Sequence, residues 1–497
     1  MNFWDKTKQL ISKIDTPVWL EIFFVVIILL RIPSFFEPFN YGDEMIYLTL
    51  GQGIRQGVPL YLGLHDNKPP LLYIMAAIAG NLFWFKTLLA AFNLAAIYLF
   101  WKLTKLLSPK NNLFQKISTI IFGIFSTFPL LEGNIANAEN FMAVPTLLAF
   151  VYVFSKKENF KRTFFIGFLF SLASLFKIVA AFDILGLLAF WLILSKRKNF
   201  VELVKKVVVL SIGFLIPIAA TFVWYWLRGA LPEYIVAAYL QNVGYVSSWR
   251  PSDVAKPFLE KNAPLLIRAS VMFFGFGILY AFRKKLSKQF VFVSAWLLAS
   301  LFAVALSERP YPHYLLQSLP PISLLLGMLF TYKNFEQSLV VIPLTLAFFV
   351  PFYFNFWYYQ TGSYYLRFVN FATKRIDKQE YLTGFSSTTP RNYKIANFLI
   401  QSSKPSDKIF VWSGDSSTIY ALSRRLPPTK YVAGYHFIDF SSKEETLKIL
   451  SNNLPKFVII TPDSFEFNEL KTFVSDNYYL ISEIDSAEIW LKLNNGI

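Results

Sequence analysis

Residues 18–44 read VWLEIFFVVIILLRIPSFFEPFNYGDE, an apolar run that ends in Arg31 and is followed by a pair of adjacent carboxylates. A helix that crosses a bilayer needs roughly 17–25 residues, and the apolar run comes close to that length. Lys6, Lys8 and Lys13 precede it, and no small-x-small cleavage site follows it. These features favour an uncleaved membrane anchor over a signal peptide and predict a cytoplasmic N-terminus.

Further apolar blocks of spanning length, or close to it, follow the first one. They lie at about residues 86–104, 114–131, 140–155, 163–180, 182–195, 206–227, 264–282, 289–306, 314–331 and 338–356. A share of 16% charged residues is too small for the surface of a soluble chain of 497 residues. We therefore predict an all-α polytopic membrane domain over residues 1–358, with about eleven transmembrane helices and up to thirteen.

The basic residues lie mainly on one side of the predicted membrane domain. Lysines and arginines occupy the inner loops at about 102–110, 156–162, 196–206 and 283–288 and position 333, whereas the short outer loops at 131–140, 180–182 and 307–313 hold only Arg309. This positive-inside bias accounts for the net charge of +17 and predicts a multi-pass protein of the plasma membrane. No nucleic-acid-binding module is visible, so nucleic acid is not an expected partner. The absence of cysteine excludes disulfides and thiolate chemistry.

Residues 359–497 have ordinary polarity and alternate between helix and strand patterns. The predicted strands cover residues 408–412, 456–460, 479–484 and 488–493, and the predicted helices cover 392–402, 442–453 and 465–474. Ser442 and Glu445 form a capping-box pattern at the start of one of these helices. We expect a soluble α/β domain, and an odd number of spans places it outside the cytoplasm.

The first outer loop, residues 34–85, holds the residues that suggest chemistry. It contains the adjacent pair Asp43 and Glu44 and, further on, a Lys-Pro-Pro-Leu run that begins at Lys68. A carboxylate suits a general base that takes a proton from an acceptor hydroxyl, and a lysine can bind a phosphate as a point charge. Taken singly, each element also fits a solvated loop or a plain turn.

In combination, the N-terminal anchor, the Asp-Glu pair and the Lys-Pro-Pro-Leu run resemble GT-C-fold transferases of the dolichyl-phosphate-mannose protein mannosyltransferase type, which include the bacterial lipid A aminoarabinose transferases. The resemblance covers most of the chain and implies the GT-C fold for the membrane domain. It also implies that Asp43 is the catalytic carboxylate, that Glu44 is its paired neighbour and that Lys68 lies near a lipid phosphate.

Two residues beyond the first loop fit the same resemblance. Glu139 matches a second acidic residue of the family, and Lys177 lies at a place where relatives also carry a lysine. Considered alone, Glu139 also fits an acidic residue that the dipole favours at a helix N-terminus. Lys177 also fits snorkelling to the membrane interface or an ion pair with Asp183.

Residues 308–321 read ERPYPHYLLQSLPP and resemble the Arg…Tyr-Leu…Leu-Pro pattern of bacterial members. Arg309 suits a bidentate phosphate contact, so Lys68, Lys177 and Arg309 are the predicted donor phosphate ligands. The predicted sugar or acceptor contacts are His313, Tyr314, Tyr47 and Asn140.

These observations predict a glycosyltransferase, a hexosyl- or pentosyltransferase, that moves a sugar from a polyprenyl-phosphate donor to an extracytoplasmic lipid, glycan or protein with inversion. No cofactor is demanded, although a divalent cation held by Asp43 and Glu139 is an alternative. Competing interpretations are a lipid or saccharide transporter or flippase, which would show internal repeats, and a polysaccharide polymerase or ligase.

The predicted topology can be tested with reporter fusions at Lys333 and at Asn494. The lysine and arginine asymmetry places the first site in the cytoplasm and the second outside, so a phosphatase reporter should be active only at the second. Activity of the same reporter at both sites would overturn the predicted topology.

Overall fold

The computed structural model describes residues 16–155, 159–196, 199–242, 257–307 and 309–493. Several residues used in the sequence analysis lie outside the described residues: Lys6, Lys8, Lys13, Lys156, Lys157, Arg197, Lys198, Glu308 and Asn494. The α-helices are α1 Val18–Arg31, α2 Gly42–Arg55, α3 Leu71–Ala79, α4 Leu82–Leu107, α5 Asn112–Phe125, α6 Ala138–Ser155, α7 Phe160–Phe176, α8 Phe182–Leu194, α9 Phe200–Leu227, α10 Leu231–Ile235, α11 Phe258–Phe282, α12 Lys288–Ala305, α13 Leu319–Thr331, α14 Phe335–Leu339, α15 Val341–Tyr353, α16 Thr361–Ala372, α17 Lys378–Thr383, α18 Thr389–Ser402, α19 Ser416–Ser423, α20 Gly434–Phe440, α21 Lys443–Asn452 and α22 Asn468–Asn477.

Within the described ranges, seven helical segments are long and apolar enough to cross a membrane: Val18–Phe36, Leu82–Leu107, Ala138–Ser155, Phe200–Leu227, Asn262–Phe282, Lys288–Ala305 and Phe335–Tyr353. The other four predicted spans form the shorter helices α5, α7, α8 and α13. The predicted all-α membrane domain is therefore confirmed, and the count of eleven spans stays a prediction.

Close helix packing in this domain depends on glycine. A Cβ added at Gly167 of α7 would lie 2.0 Å from the carbonyl oxygen of Leu210 in α9, and one added at Gly213 of α9 would lie 2.0 Å from the carbonyl oxygen of Phe164. Small residues let membrane helices approach at backbone distance, where dispersion contacts replace the missing hydrophobic driving force. The opposite side of α9 exposes large apolar side chains such as Leu215 and Val223, as a lipid-facing helix does.

Two helices of the first outer loop are shorter than a membrane span needs, and the first of them carries Asp43 and Glu44. Helix α2 spans Gly42–Arg55 and α3 spans Leu71–Ala79, and neither is among the seven spanning segments. The glycine Gly51 allows them to pack tightly, since a Cβ there would lie 2.6 Å from the backbone nitrogen of Ala77. The loop is thus a pair of short packed helices on the membrane domain.

A fully buried lysine ties this loop to the membrane domain. The Lys86 ammonium, at the start of α4, lies 2.7 Å from Glu37 Oε2 and 2.7 Å from Glu44 Oε1, and it donates to the Asn134 carbonyl at 2.8 Å. Glu44 Oε1 also accepts from the Ala136 N–H at 2.6 Å. Burial raises the pKa of Glu44 to about 7. The charge of Lys86 opposes this rise, while the neighbouring Glu37 carboxylate adds to it.

The C-terminal domain is the expected α/β layer. Its strands are β1 Ile409–Trp412, β2 Phe457–Ile460, β3 Tyr478–Ile484 and β4 Ala487–Lys492, in the order β1-β2-β4-β3. Strands β1 and β2 are parallel, and β4 pairs antiparallel with β2 and β3. Ser442 caps α21 by accepting from the Glu445 N–H at 3.0 Å, as its sequence pattern predicts.

This domain packs directly on the first outer loop. The His65 N–H donates to the Lys430 carbonyl at 2.8 Å, and Thr389 Oγ1 donates to Asn40 Oδ1 at 2.8 Å. Ser417, at the start of α19, lies beside the helix that carries Asp43, with its Oγ 3.5 Å from the Gly42 carbonyl. The first outer loop is therefore enclosed between the membrane helices and the α/β domain.

Replacing Lys86 with Met should strongly destabilise the protein, because Glu37 and Glu44 would stay buried without their cation. Breaking a buried ion pair costs roughly 3–5 kcal/mol, which a lower thermal unfolding midpoint in detergent should report. Lys105→Met, an exposed position of the same helix, is the matched control. The triple change Lys86→Met, Glu37→Gln and Glu44→Gln should recover part of the loss, and a Lys86→Met protein as stable as the control would contradict the assigned role.

Candidate active site

A polar cavity of about 390 Å³ lies between the first outer loop, the outer ends of the membrane helices and the α/β domain. Asp43 lines it from the first turn of α2, and the Tyr47 hydroxyl, one turn later, donates to Asp43 Oδ2 at 3.0 Å. Asp43 is half-buried, whereas Tyr47 is buried. The hydroxyl fixes one carboxylate oxygen and leaves the other available to a ligand in the cavity.

Lys68 lines the same cavity and is held by two neighbours. Its Nζ lies 3.7 Å from Asp66 Oδ2 and 5.0 Å from the centroid of the Tyr47 ring. Asp66 is in turn fixed by the Tyr73 hydroxyl at 2.8 Å and lies 3.6 Å from His436 Nε2 of the α/β domain. Burial alone would raise the pKa of Asp66, but the charge of Lys68 and these hydrogen bonds hold it below its usual value.

Glu139 and Lys177 form an ion pair at the junction of the cavity and the membrane helices. The Lys177 Nζ also lies 3.9 Å from the centroid of the Tyr314 ring. Its side chain keeps 16% of its surface exposed, and Lys177 lines the polar cavity. The pairing with Asp183 that sequence left open does not occur, because Asp183 accepts from Trp296 Nε1 at 2.9 Å and from Gln317 Nε2 at 3.2 Å.

His313 lies between two acidic residues, Glu132 in the loop before α6 and Glu139 in the first turn of α6. Its Nδ1 contacts Glu132, and its Nε2 lies 4.0 Å from Glu139 Oε1. Glu132 also accepts from the Tyr41 hydroxyl at 2.9 Å and is fully buried. His313 and Tyr314 both line the polar cavity, as do Arg309 and Asn67.

Two of the predicted site residues point elsewhere. Glu44 is held by Lys86 and lines a different cavity from Asp43. Asn140 is buried, and its side-chain amide donates to the Ile135 carbonyl at 2.9 Å. The structure thus brings together Asp43, Tyr47, Lys68, Glu139, Lys177, Arg309, His313 and Tyr314, and it separates Glu44 and Asn140 from them.

An apolar cavity of about 460 Å³ adjoins the polar one and shares Lys177, Asn242 and Tyr314 with it. Its remaining lining comes mostly from aliphatic and aromatic residues of the membrane helices, such as Leu265 and Val304. A ligand with a charged head and a hydrocarbon tail could therefore place the head beside Asp43 and the tail between helices.

The side chains give little support to the alternative of a divalent cation. Among the described residues, no group of three or more His, Asp and Glu side chains is arranged to hold a metal ion. Glu139 is already paired with Lys177, so a cationic group stands where a further carboxylate ligand would be needed. These residues do not fit a metal ion, and no chemical step is assigned to one.

Several site residues escaped the sequence analysis. Tyr435, His436, Asp439 and Phe440 come from α20 of the α/β domain and line the polar cavity. Glu132 and Asp66 position His313 and Lys68. The position of Asp66, two residues before Lys68, could have indicated that the two side chains form a pair. No sequence pattern links α20 to the first loop.

Comparison with solved structures identifies the fold. The structure of ArnT from Cupriavidus metallidurans bound to undecaprenyl phosphate superposes with a TM-score of 0.57 at 12% identity, covering 96% of this chain and 98% of that one, and the apo structure of ArnT gives the same values. The chain has the GT-C fold. The apo oligosaccharyltransferase of Archaeoglobus fulgidus is a more distant match, with a TM-score of 0.43 at 13% identity over 88% of this chain and 69% of that one.

The sequence match to a known family lies within the α/β domain. Residues 390–490 match the family described as “Putative competence-induced protein Ccs4 C-terminal domain”. No curated protein sequence matches the chain. The GT-C fold expected from the first outer loop is therefore confirmed by structure, and the family of the whole chain is not defined by sequence.

The contact between His65 and the α/β domain should depend on pH. Burial lowers the pKa of His65 from 6.5 to about 4, and the nearby His436 adds to the effect. The folded protein keeps His65 neutral between pH 6.5 and 4, whereas the unfolded chain takes up a proton in this range. The contribution of neutral His65 to the free energy of unfolding is therefore fully present above a pH of about 6.5 and is lost progressively as the pH falls from 6.5 to 4. Hydrogen exchange of the β1–β2 amides against pH should show this loss, and His65→Gln should flatten the profile. An equally steep profile in that variant would assign the effect to other groups.

Proposed function

We propose that the protein transfers a sugar from a polyprenyl-phosphate donor to an extracytoplasmic acceptor, with Asp43 as general base. One observation carries this proposal: a carboxylate with a hydrogen-bonded orientation shares a cavity with three cationic side chains, and that cavity continues into an apolar one. General-base catalysis needs the first feature, and a lipid-linked phosphate needs the second and third.

The donor fits the two cavities in one orientation. Its phosphate would lie near Lys68, Lys177 and Arg309, which all line the polar cavity. Its polyprenyl chain would extend between the membrane helices past Leu265 and Val304. Undecaprenyl phosphate is bound in the ArnT structure that shares this fold, and for this chain the same class of lipid is part of the proposal.

The reaction would be a single displacement at the anomeric carbon. Asp43 takes the proton from the acceptor hydroxyl, the acceptor oxygen forms a bond to the anomeric carbon, and the bond between that carbon and the phosphate oxygen breaks. The electron pair of the broken bond leaves with the polyprenyl phosphate, and attack from the opposite face inverts the configuration. Lys68, Lys177 and Arg309 stabilise the negative charge that grows on the leaving phosphate.

The ion pairs around the cavity orient these cations before the substrate arrives. Asp66 holds Lys68 at 3.7 Å, and Glu139 contacts Lys177. Both carboxylates are almost fully buried, while their lysine partners keep 18% and 16% of their side-chain surface exposed. Both lysines line the polar cavity, so a phosphate bound there would meet cations that their carboxylates already orient, and little reorganisation would be needed during the reaction.

A flippase or transporter would use the same spans but would not need an oriented carboxylate next to the phosphate site. The single-site arrangement around Asp43 favours transfer chemistry over translocation, since its charged groups lie at the outer ends of helices and in loops.

Asp43→Asn should lower sugar transfer by a factor of about 10² to 10⁴, the usual contribution of a general base. Donor binding should persist, because the amide keeps the shape of the carboxylate and does not contact the phosphate. Transfer from a radiolabelled polyprenyl-phosphate sugar, and retention of that lipid by the purified protein, measure the two properties. Asp476→Asn, an exposed aspartate on α22, is the matched control, and full transfer by Asp43→Asn would refute the catalytic assignment.

Lys68→Ala should weaken donor binding as well as turnover, because a phosphate contact is lost in both the bound substrate and the transition state. Lys471→Ala removes an exposed lysine from α22 and should change neither. If Lys68→Ala binds the donor as well as the control does, then Lys68 does not hold the phosphate. A wild-type protein that moves lipid across a bilayer without transferring sugar would favour the flippase instead.

A further inference from the structure

A second outer cavity of about 430 Å³ lies beside the polar one. Tyr41 lines both cavities, and its hydroxyl is fixed by Glu132 at 2.9 Å. Asp43 and Glu44 are consecutive residues that face different cavities: Asp43 lines the polar cavity and Glu44 lines the second one. A molecule held in the second cavity would therefore lie next to the backbone segment that carries the proposed base.

Aromatic rings form one side of this second cavity. Trp357, Tyr358 and Tyr359 follow the last membrane helix and line the cavity while remaining 37%, 66% and 37% exposed. Trp357 and Tyr359 contact each other edge to face at 4.8 Å. Trp357 also contacts the ring of Tyr311, a residue of the polar cavity, at 6.4 Å. The rings thus extend from the second cavity toward the site of chemistry.

The base of the cavity contains a buried acceptor without a donor. The Asn134 amide nitrogen donates to Glu37 Oε1 at 2.6 Å, and because a carboxylate only accepts, this contact fixes which way the amide faces. Asn134 is 7% exposed, and among the described residues its Oδ1 has no hydrogen-bond partner. An oxygen with so little exposed surface is out of reach of a ligand, so Asn134 supports Glu37 in the cavity wall and the exposed polar groups of the lining remain for binding.

The chemistry of the lining points to sugar rings. Flat aromatic faces pack against the C–H faces of a pyranose, while amide, hydroxyl and carboxylate groups bind its hydroxyls. The lining offers Gln360, Ser363 and Arg367 for such bonds. The apolar cavity has an aliphatic lining instead, which suits a lipid tail and not a polyhydroxylated molecule.

We infer that the second cavity is the acceptor subsite and that the acceptor is a glycan, whose sugar rings lie against Trp357 and Tyr359. This inference rests on the proposed transfer function and adds the substrate class on the acceptor side. The terminal sugar would reach Asp43 past Tyr41, next to Gly42, where an added Cβ would meet no atom within 4 Å. Donor and acceptor would then occupy different cavities, which share Tyr41 in their lining.

Binding can be measured without any transfer reaction. The full-length protein in detergent is examined by saturation-transfer NMR with tetrasaccharides of glucose, of galactose and of N-acetylglucosamine as probes. At least one tetrasaccharide should receive saturation, and Trp357→Ala and Tyr359→Ala should each weaken its binding about tenfold or more, as loss of a ring contact does. Trp357→Phe, which keeps a ring, should restore most of the binding.

Tyr353→Ala is the matched control, because Tyr353 lies at the end of α15, is 62% exposed and does not line the cavity. Its binding should equal that of the wild type. Absence of saturation for all three tetrasaccharides, equal binding by the Trp357→Ala, Tyr359→Ala and Tyr353→Ala proteins, or preference for a peptide or a lipid headgroup in the same assay would overturn the glycan subsite.

A transfer assay separates this inference from the proposed function. With a glycan acceptor, Trp357→Ala should raise the acceptor KM about tenfold and leave kcat and donor retention close to wild type. A protein that binds tetrasaccharides through Trp357 but transfers no sugar would refute the transferase and leave the glycan site in place. A protein that transfers sugar with an acceptor KM insensitive to Trp357→Ala and Tyr359→Ala would refute the subsite and leave the transferase in place.

Discussion

The buried ammonium of Lys86 holds the outer face of this protein together. Two carboxylates, Glu37 and Glu44, and the Asn134 carbonyl surround it. The first outer loop is thereby joined to the loop at residues 131–140 inside the protein. A charge at full burial is tolerable only with such partners. Because Glu44 is fixed to this lysine, the preceding Asp43 is turned away from it and toward the polar cavity. The structural carboxylate and the proposed catalytic carboxylate are thus neighbours in sequence with different environments.

The cations of the proposed donor site are arranged by a similar principle at lower burial. Lys68 and Lys177 each contact a carboxylate that is almost fully buried, yet each lysine side chain is partly exposed and lines the polar cavity. Such pairs cost less than isolated buried charges and still leave hydrogen-bonding capacity for a phosphate. The donor site is therefore pre-oriented, and its electrostatic effect on a leaving phosphate does not wait for side chains to move.

The α/β domain takes part in the site through α20 and through its packing on α2. His436 lies 3.6 Å from Asp66, the residue that orients Lys68. Tyr435 and Asp439 of the same helix line the cavity. The α/β domain, part of which matches the competence-induced protein family in sequence, therefore lines one side of the candidate active site. The packing of α20 on the rest of the domain determines where these lining residues lie.

Sequence alone determined the class and much of the fold. Long apolar blocks, the basic bias of the inner loops and the capping box at Ser442 depend on local composition, which a chain carries whatever its partners. The Asp-Glu pair and the Lys-Pro-Pro-Leu run indicated the GT-C fold, and most of the predicted ligands do share one cavity. Local patterns are sufficient for these features because each arises within one helix or one loop.

Tertiary structure alone decided which member of each pair carries which role. The resemblance singled out Asp43, but local composition does not distinguish the two carboxylates, and the ion pair with Lys86 gives Glu44 an environment that Asp43 lacks. The contact of Glu139 with Lys177 joins residues from two helices, and the cavity wall formed by α20 comes from a separate domain. Burial and long-range pairing set these assignments, and neither leaves a periodic signal in the sequence.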